Sequence, residues 1–469
     1  MRALLFPLSV LALLSSLVFG GGAARGLSSD YAPQLLSIPL LYCAIASADR
    51  TLSHSRGLLY LVGAVCALPL LHLIPLPPAV WSALPGRELL VAAFGAADLP
   101  LPYLPMSMRP DETWRALLAL VPPVSLLLAG LQLTVAERVW LVGIIVSFAC
   151  LNVIVGMFQV ISGGTALYFY AFTNAGRSVG LFANANHTIA YFYAIIPVTA
   201  AILGDSRLKT AVPSWVFLGA FAFLFVLGLS MSGSRTALLL GGLSLVLTCA
   251  LVLRAYLIEF ASRTRLILVG ALAGLLILPV ALGVGLSNIL ARFETQDVLE
   301  DARWSLLPGA LRAMRAVFPA GSGMGAFETV YQLHETYLDV SYPLVNHAHN
   351  DWLEIVFEGG APGLMLLACA LGWLANATLG AFRLRAGSAQ NISDRLAKAG
   401  CLALWLLALH SLWDYPLRTI ALASLAAICC AVLRPAAAEH SRSFVTLPAF
   451  LTPARQRRRI KHSTSVAAA

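Results

Sequence analysis

The sequence predicts an all-α integral membrane protein of about twelve transmembrane helices. Three observations support this fold class. Apolar residues make up 59% of the 469 residues and charged residues only 11%, whereas soluble domains carry roughly a quarter charged residues. Apolar runs near the length of ~20 residues that crosses a bilayer recur along the chain. The charges fall in short clusters between those runs, which excludes a soluble globular enzyme.

The apolar runs define the individual spans. The first run could instead be a cleaved signal peptide, because Arg2 precedes its apolar core and small residues follow at 20–24. The predicted spans lie at about 3–20, 33–49, 57–76, 115–133, 138–161, 187–204, 214–230, 236–253, 266–288, 360–381, 396–413 and 417–433.

Basic clusters fix the orientation, because loops on the cytoplasmic side of a membrane are enriched in Lys and Arg. With the N-terminus in the cytoplasm, five basic clusters all lie inside, and the reverse topology would violate all five. The loops at 77–113, 162–186, 231–235 and 289–358 then face outward. The clusters are Arg50 with Arg56, Arg207 with Lys209, Arg254 with Arg263 and Arg265, Arg383 with Arg385, Arg395 and Lys398, and the tail at 455–461.

The same pattern divides the chain into four parts. We predict an N-terminal transmembrane bundle of about nine helices at 1–288, an outer loop domain at 289–358, C-terminal transmembrane helices at 359–433 and a basic cytoplasmic tail at 434–469. The eight cysteines lie inside or at the ends of apolar runs and are interpreted as packing residues. The net charge of +9 fits lipid head groups better than nucleic acid, because the basic residues flank the spans.

Two arginines stand out in the predicted outer loops. Arg177 lies in a segment rich in Gly, Ser and Asn at 174–186, and Arg235 ends a similar segment at 230–235. A guanidinium at this depth can hold a phosphate through two parallel charge-assisted hydrogen bonds. Each arginine could instead reach lipid phosphates without a specific role. Their common setting favours a site for a lipid diphosphate.

Two histidines, His347 and His349, lie at the end of the long outer loop, close to Asp351, Glu354 and Glu358. An imidazole suits proton transfer near neutral pH, and the carboxylates could orient it along the first helical turns. Asn350 could cap that helix. The His-x-His spacing also permits a metal site, although no further ligand set is evident.

The long outer loop holds two further patterns. Trp304, Leu307, Leu311, Met314 and Phe318 recur at helical spacing, which predicts an amphipathic helix on the membrane surface. A glycine-rich stretch at 321–327 superficially matches a dinucleotide-binding loop, but no strand pattern precedes it. We interpret this stretch as a turn that permits close backbone approach.

In this order and spacing the motifs resemble the O-antigen ligase and polymerase superfamily. The resemblance covers most of the chain and is strongest between 170 and 365. Leu84 to Arg87 and Ser107 to Pro110 also resemble the first outer loop of that superfamily. The motifs are Arg177-x-x-Gly180-x-Phe182-x-Asn184-x-Asn186, Ser232-x-Ser234-Arg235, Arg303, Pro319-x-Gly321-x-Gly323-x-Gly325-x-Phe327, His349-Asn350-Asp351-x-Leu353 and Glu358-Gly359-Gly360.

The resemblance implies a GT-C-like glycosyltransferase that needs neither metal nor cofactor. Its donor would be an undecaprenyl-diphosphate-linked glycan and its acceptor lipid A-core or a growing glycan, at the periplasmic face of the bacterial inner membrane. It implies that His349 is the catalytic base, that Arg177 and Arg235 bind the donor diphosphate and that Arg303 is a further substrate-binding residue. We also assign His347 and Asn350 to the substrate site.

Ligation, polymerisation and transfer onto a protein hydroxyl use the same chemistry and differ only in the acceptor, so the sequence leaves all three open. Direct displacement at the anomeric carbon predicts inversion of configuration. A polysaccharide flippase or transporter is the alternative from another class. It should place charged residues near mid-span, along a central path, whereas the residues singled out here gather at one face.

Overall fold

A computed structural model of the chain describes residues 1–23, 27–48, 52, 55–203, 228, 234, 236–259, 302–336, 345–383 and 392–434. The described part is almost entirely helical. Two short strands, β1 (Pro75–Leu76) and β2 (Leu104–Pro105), pair antiparallel. The helices are α1 (Arg2–Phe19), α2 (Tyr31–Ala46), α3 (Arg56–His72), α4 (Pro78–Trp81), α5 (Glu88–Ala96), α6 (Pro110–Ala119), α7 (Val121–Gly130), α8 (Val135–Ile161), α9 (Ala185–Leu203), α10 (Gly242–Glu259), α11 (Ala302–Val317), α12 (Phe327–Gln332), α13 (Asp351–Arg383), α14 (Ile392–His410) and α15 (Ile420–Val432).

Within the described residues, five helical segments are long and apolar enough to cross a membrane. They are Arg2–Phe19, Pro110–Gly130, Val135–Ile161, Ala185–Leu203 and Asp351–Arg383. Helices α3 and α15 are apolar but shorter. The prediction of a mostly helical membrane protein is therefore confirmed. The number of twelve spans stays a prediction. The predicted span at 266–288, and the one at 214–230 except for residue 228, lie outside the described residues.

The bundle core forms where α14 packs against α9, and where α7 packs against both α2 and α15. Small residues allow these helices to approach closely, as is common between membrane helices. A Cβ atom on Gly130 of α7 would lie 2.8 Å from the Cβ of Ala431 on α15. The buried core is built mainly from Leu, Ala, Ile and Val with a cluster of aromatic rings around Tyr191.

Helix α13 begins earlier than the sequence pattern indicates. The apolar run starts near residue 360, but the helix begins at Asp351 and continues to Arg383 across a kink at Gly360, whose φ is 59°. The carboxylate-bearing segment is therefore helical. Asp351, Glu354 and Glu358 lie three and four residues apart and share one helical face.

The glycine-rich turn at 321–325 packs between two backbones. The backbone N–H of Gly323 donates to Glu358 O at 2.9 Å, and that of Met108 donates to Ser322 O at 2.8 Å. Gly325 has a φ of 90°, and a Cβ there would lie 2.7 Å from Glu112 O. Its role in close backbone approach is as predicted, and it joins the kink of α13 to the first outer loop.

The predicted amphipathic helix is present as α11, but the buried face differs from the one that the spacing indicates. Leu306, Ala310, Ala313 and Val317 are buried and pack with Phe327 and Phe357 among others, whereas Phe318 is exposed. Small alanines permit close packing against neighbouring helices, so this face is in contact with protein.

Candidate active site

A layer of polar side chains lies at the end of the bundle where α9 and α13 begin and α14 ends. We call this the outer end, because the positions of the basic clusters in the sequence predict that it faces outward. Asp414, in the turn between α14 and α15, is buried at its centre. Asn186 Nδ2 donates to Asp414 Oδ2 at 2.7 Å, and the backbone N–H of Asp351 donates to Asp414 O at 3.2 Å. The aspartate therefore joins three helices.

Three imidazoles surround this carboxylate. His349 Nδ1 lies 3.4 Å from Asp414 Oδ1, His187 Nε2 lies 3.9 Å from the same oxygen and His410 Nε2 lies 3.8 Å from Oδ2. His410 Nδ1 is also within hydrogen-bonding contact of the Tyr193 hydroxyl. Among the described residues, no group of three or more His, Cys, Asp or Glu side chains is arranged to hold a metal ion.

His349 is the accessible histidine of the group. Its side chain is 29% exposed, whereas those of His187 and His410 are fully buried. Its φ of 47° is a left-handed conformation that costs about 1–2 kcal/mol for most residues. This turn immediately before α13 directs Nδ1 toward Asp414, so Nε2 is the nitrogen left for a substrate.

Neighbouring side chains keep the carboxyl group of Asp414 ionised. Burial alone would raise its pKa, but the side chains of His349 and His410 outweigh that effect and hold the pKa well below its ordinary value of 3.8. The aspartate is therefore an anion at neutral pH. A buried anion beside an imidazole stabilises the imidazolium that forms when the ring accepts a proton.

His347 occupies a different environment. Its Nδ1 donates to Glu354 Oε1 at 2.9 Å, and the other oxygen of Glu354 accepts the backbone N–H of Ala348 at 3.0 Å. The ring is only 2% exposed. The Tyr415 ring stacks on it at a centroid distance of 4.1 Å and meets His349 edge-on at 5.1 Å. One tyrosine thus separates the two histidines.

Arg418 neutralises part of the acidic face of α13. Its Nη1 donates to Glu358 Oε2 at 2.7 Å and lies 3.5 Å from Glu354 Oε1, while Nε lies 3.4 Å from Asp351 Oδ1. Three carboxylates within 3.5 Å favour the charged form of this guanidinium. The group therefore stays charged and ties α13 to the start of α15.

The predicted site residues are only partly brought together. Asn350 caps α13, because its Oδ1 accepts the backbone N–H of Leu353 at 3.0 Å. Arg177 is half-buried in the loop before α9, where Tyr168 donates to its carbonyl at 2.9 Å. Arg235 lies outside the described residues. Arg303 belongs to α11, but its side chain lies outside what the structure describes.

The loop that carries Arg177 nevertheless leads to the histidines. Asn174 Oδ1 accepts the backbone N–H of Ala185 at 2.9 Å, which fixes the loop against the first turn of α9. One residue later, Asn186 reaches Asp414. The Arg177 motif and the His349 motif therefore meet at one carboxylate.

Residues 220–368 match the O-antigen ligase family. The predicted resemblance to the O-antigen ligase and polymerase superfamily is confirmed over this part of the chain. No curated protein matches the chain. The part that matches the O-antigen ligase family contains Arg235, Arg303, His347 and His349, together with the acidic face of α13.

Several residues of the site lie outside that match and were not expected from the sequence. Asp414 and Arg418 follow α14 in the short turn before α15, while His187 and His410 lie within apolar helices. Arg418, like Arg177, is an arginine at a predicted outer boundary, and its position along the chain carried the same signal. Nothing in the apolar pattern around His187 and His410 indicated that they approach Asp414.

Proposed function

We propose that this protein is a metal-independent, inverting glycosyltransferase of the O-antigen ligase type. It moves a glycan from undecaprenyl diphosphate to a hydroxyl of lipid A-core at the periplasmic face of the bacterial inner membrane. The observation that carries the proposal is the pair of His349 and Asp414, in which an accessible imidazole faces a buried carboxylate at 3.4 Å. That pair is suited to removing a proton from an acceptor hydroxyl.

The reaction needs few groups, because a glycan on a lipid diphosphate is already activated. His349 Nε2 takes the proton of the acceptor hydroxyl, whose oxygen attacks the anomeric carbon. The bond from that carbon to the diphosphate oxygen breaks, and undecaprenyl diphosphate leaves with the bonding electrons. Displacement from the opposite side inverts the configuration. Asp414 is a positioning residue, because it orients His349 and stabilises its charged form.

The leaving diphosphate needs cations, and we assign this role to Arg177, Arg235 and Arg303. Such groups stabilise negative charge that develops in the transition state. Arg177→Lys keeps the charge but loses the planar fork that holds two oxygens. We expect this variant to lose at least tenfold in transfer while keeping normal membrane abundance. Wild-type transfer by Arg177→Lys would instead identify an ordinary lipid anchor.

The direct test uses the purified protein in lipid vesicles with an undecaprenyl-diphosphate glycan and lipid A-core. We expect glycan transfer and release of undecaprenyl diphosphate, unchanged by EDTA. Activity that is lost in EDTA and restored by a divalent ion would support the alternative metal site. Absence of transfer by abundant, folded protein would contradict the proposal.

Deletion of the gene separates ligation from polymerisation. Loss of a ligase removes long chains from lipid A-core and leaves lipid-linked polymer. Loss of a polymerase leaves single repeat units instead. Loss of a flippase, the alternative from another class, would leave the lipid-linked glycan on the cytoplasmic side of the membrane. A purified flippase would not join donor to acceptor.

A further inference from the structure

The loop that carries Arg177 is attached to the last turns of α8 by buried residues. Asn152, Gly156 and Gln159 lie four and three residues apart, so they share one face of that helix. The side chains of Asn152 and Gln159 are completely buried. This face, which we call the loop seat, contacts the chain at 178–181, directly after Arg177.

Gln159 uses both ends of its amide group to bind the loop. Its Oε1 accepts the backbone N–H groups of Val179 and Gly180, each at 2.9 Å. Its Nε2 donates to Gly180 O at 2.8 Å and to Leu167 O at 2.7 Å. Leu167 precedes Arg177 in the chain and Val179 follows it, so one side chain holds the loop on both sides of the arginine.

The loop lies too close to α8 for larger residues at two positions. A Cβ atom on Gly156 would clash with Ser178 Oγ, and a Cβ atom on Gly180, where φ is 60°, would clash with Asn152 Oδ1. The same Asn152 oxygen accepts the backbone N–H of Leu181 at 2.8 Å. Close contact and hydrogen bonding therefore fix the loop in one register on the seat.

A tyrosine hydroxyl holds the backbone of Arg177 itself. Tyr168 Oη donates to Arg177 O at 2.9 Å and accepts the backbone N–H of Gly176 at 3.0 Å. The backbone N–H of Arg177 donates to Asn174 O at 3.2 Å. Tyr168 directly follows Leu167, whose carbonyl is bound by the loop seat. Both backbone polar groups of Arg177 are therefore hydrogen-bonded within one connected network.

The network orders the backbone of Arg177 while its side chain stays half-buried. The same loop reaches Asp414 through Asn186. A cation that stabilises a leaving group acts best when it is in position before the substrate binds, because no ordering entropy is then lost on binding. A fixed backbone reduces the number of positions that the guanidinium can take.

We propose that Gln159 and Tyr168 are positioning residues that fix the backbone of Arg177 for the donor diphosphate. This inference rests on the proposed function, in which Arg177 binds that diphosphate. Gln159 and Tyr168 act only through the arginine and do not touch the substrate. Their loss should raise the KM for donor and lower kcat, while the KM for acceptor stays unchanged.

A double-mutant cycle separates this role from a general role in folding. Gln159→Met keeps the length of the side chain but loses the amide. In lipid vesicles with undecaprenyl-diphosphate glycan as donor, we expect it to lower kcat/KM for donor about tenfold, a coupling typical of one hydrogen-bond network. In an Arg177→Ala background the further loss should be below about twofold, because the guanidinium is already absent. Equal losses in both backgrounds would overturn the proposal.

Gln132 supplies a matched control at the other end of α8. It is also a buried glutamine, and its Nε2 donates to the backbone carbonyls of Ala44 and Leu128 at 2.8 and 3.0 Å. Gln132→Met should lower the melting temperature, as Gln159→Met does, but leave kcat and both KM values unchanged. An equal fall in kcat/KM for donor in Gln132→Met would show that lost stability explains the effect, which would overturn the proposal.

Tyr168→Phe keeps the proposal testable if Gln159→Met does not fold. This tyrosine is half-buried, and the change removes only one hydroxyl group. We expect the KM for donor to rise by about threefold to tenfold, the range for one or two hydrogen bonds, and no rise in an Arg177→Ala background. Wild-type donor kinetics in folded Tyr168→Phe protein would overturn the proposal.

The same measurements distinguish failure of this inference from failure of the proposed function. If Arg177→Ala transfers glycan at the wild-type rate, the assignment of Arg177 to the donor diphosphate is wrong. If Arg177→Ala is impaired but folded Gln159→Met is not, that assignment stands, and the loop seat only stabilises the fold.

Discussion

The two histidines of the outer layer differ in almost everything except residue type. His349, in the turn before α13, is 29% exposed and faces Asp414, which lies in the turn between α14 and α15. His347 is 2% exposed and donates to Glu354 in the first turn of α13, the helix that follows it. The first has a nitrogen free for chemistry, while the second is enclosed by a hydrogen bond and a stacked ring.

The difference shows that accessibility, and not the presence of an imidazole beside a carboxylate, separates a reactive histidine from a structural one. Both rings have a buried acidic partner within 3.4 Å. Only the ring of His349 can also meet a substrate. The contrast yields a series of variants whose effects should fall on activity for one histidine and on stability for the other.

His349→Ala should have the largest effect on activity. A positioned base contributes typically 10²- to 10⁴-fold in rate, and we expect a loss of this size in kcat. The side chain is 29% exposed, so the melting temperature should change less than for a buried residue. Transfer assays in vesicles, with membrane abundance checked by immunoblot, measure the effect. A His349→Ala enzyme with near wild-type kcat would remove the proposed base.

Asp414→Asn should have the next largest effect. The amide keeps the shape but not the charge, so His349 loses the anion that stabilises its protonated form. We expect a fall of about tenfold to a hundredfold in kcat, equivalent to roughly 1.4–2.7 kcal/mol, with donor and acceptor KM unchanged. Asp414→Glu should recover part of the loss. A rise in KM with constant kcat would indicate a binding role instead.

The stability of the Asp414 pair should also depend on pH. The folded pKa of Asp414 lies below its ordinary value, so the ionised form stabilises the fold above about pH 4. That contribution is lost as the pH falls through the folded pKa. The melting temperature of Asp414→Asn should therefore lie below that of the wild type at pH 7, and the gap should narrow below pH 4.

The sequence predicted His349 and the helical membrane fold because both depend on local patterns. Apolar run lengths predict spans, and a histidine beside a carboxylate-rich helix start is visible in the sequence. The pairing of His349 with Asp414 was not predictable, because the two residues are brought together by the packing of α13 against α14. The sequence also suggested that the acidic face of α13 orients His349. In the structure Glu354 instead contacts His347, and Arg418 contacts all three carboxylates of that face.

The first residue of α13 could not be predicted from the sequence either. Hydropathy places the span near 360, where charged residues end, but the backbone is helical from Asp351 onward. The carboxylates remain in a helix because Arg418 and the Ser411 hydroxyl are their partners. Long-range partners of this kind are absent from any window of sequence.

His347 should respond in stability rather than activity. His347→Leu leaves the buried carboxylate of Glu354 without this donor, which costs about 1–3 kcal/mol. His347→Asn keeps an N–H donor near the position of Nδ1 and should be less destabilised. Thermal melting in detergent ranks the three proteins, and both variants should retain a substantial part of wild-type kcat. A folded His347→Asn enzyme with activity as low as that of His349→Ala would make His347 a second catalytic residue.

The smallest effect is expected at Asp30, which lies immediately before α2. Burial raises the pKa of this aspartate to about 7, so between about pH 4 and pH 7 the unfolded chain releases a proton that the folded chain retains. The wild type therefore loses stability across this window as the pH rises, and the loss is complete above about pH 7.

The side chain of Asp30→Asn does not titrate, so this variant should not lose stability as the pH rises. Because Asp30 is partly solvated, we expect a gain of about 1 kcal/mol at pH 8, or roughly 2–4 °C in melting temperature, and little difference at pH 4. Melting curves of both proteins across this pH range in one detergent measure the gain. An equal difference at pH 4 and pH 8 would show that the carboxylate of Asp30 ionises as readily in the folded protein as in the unfolded chain.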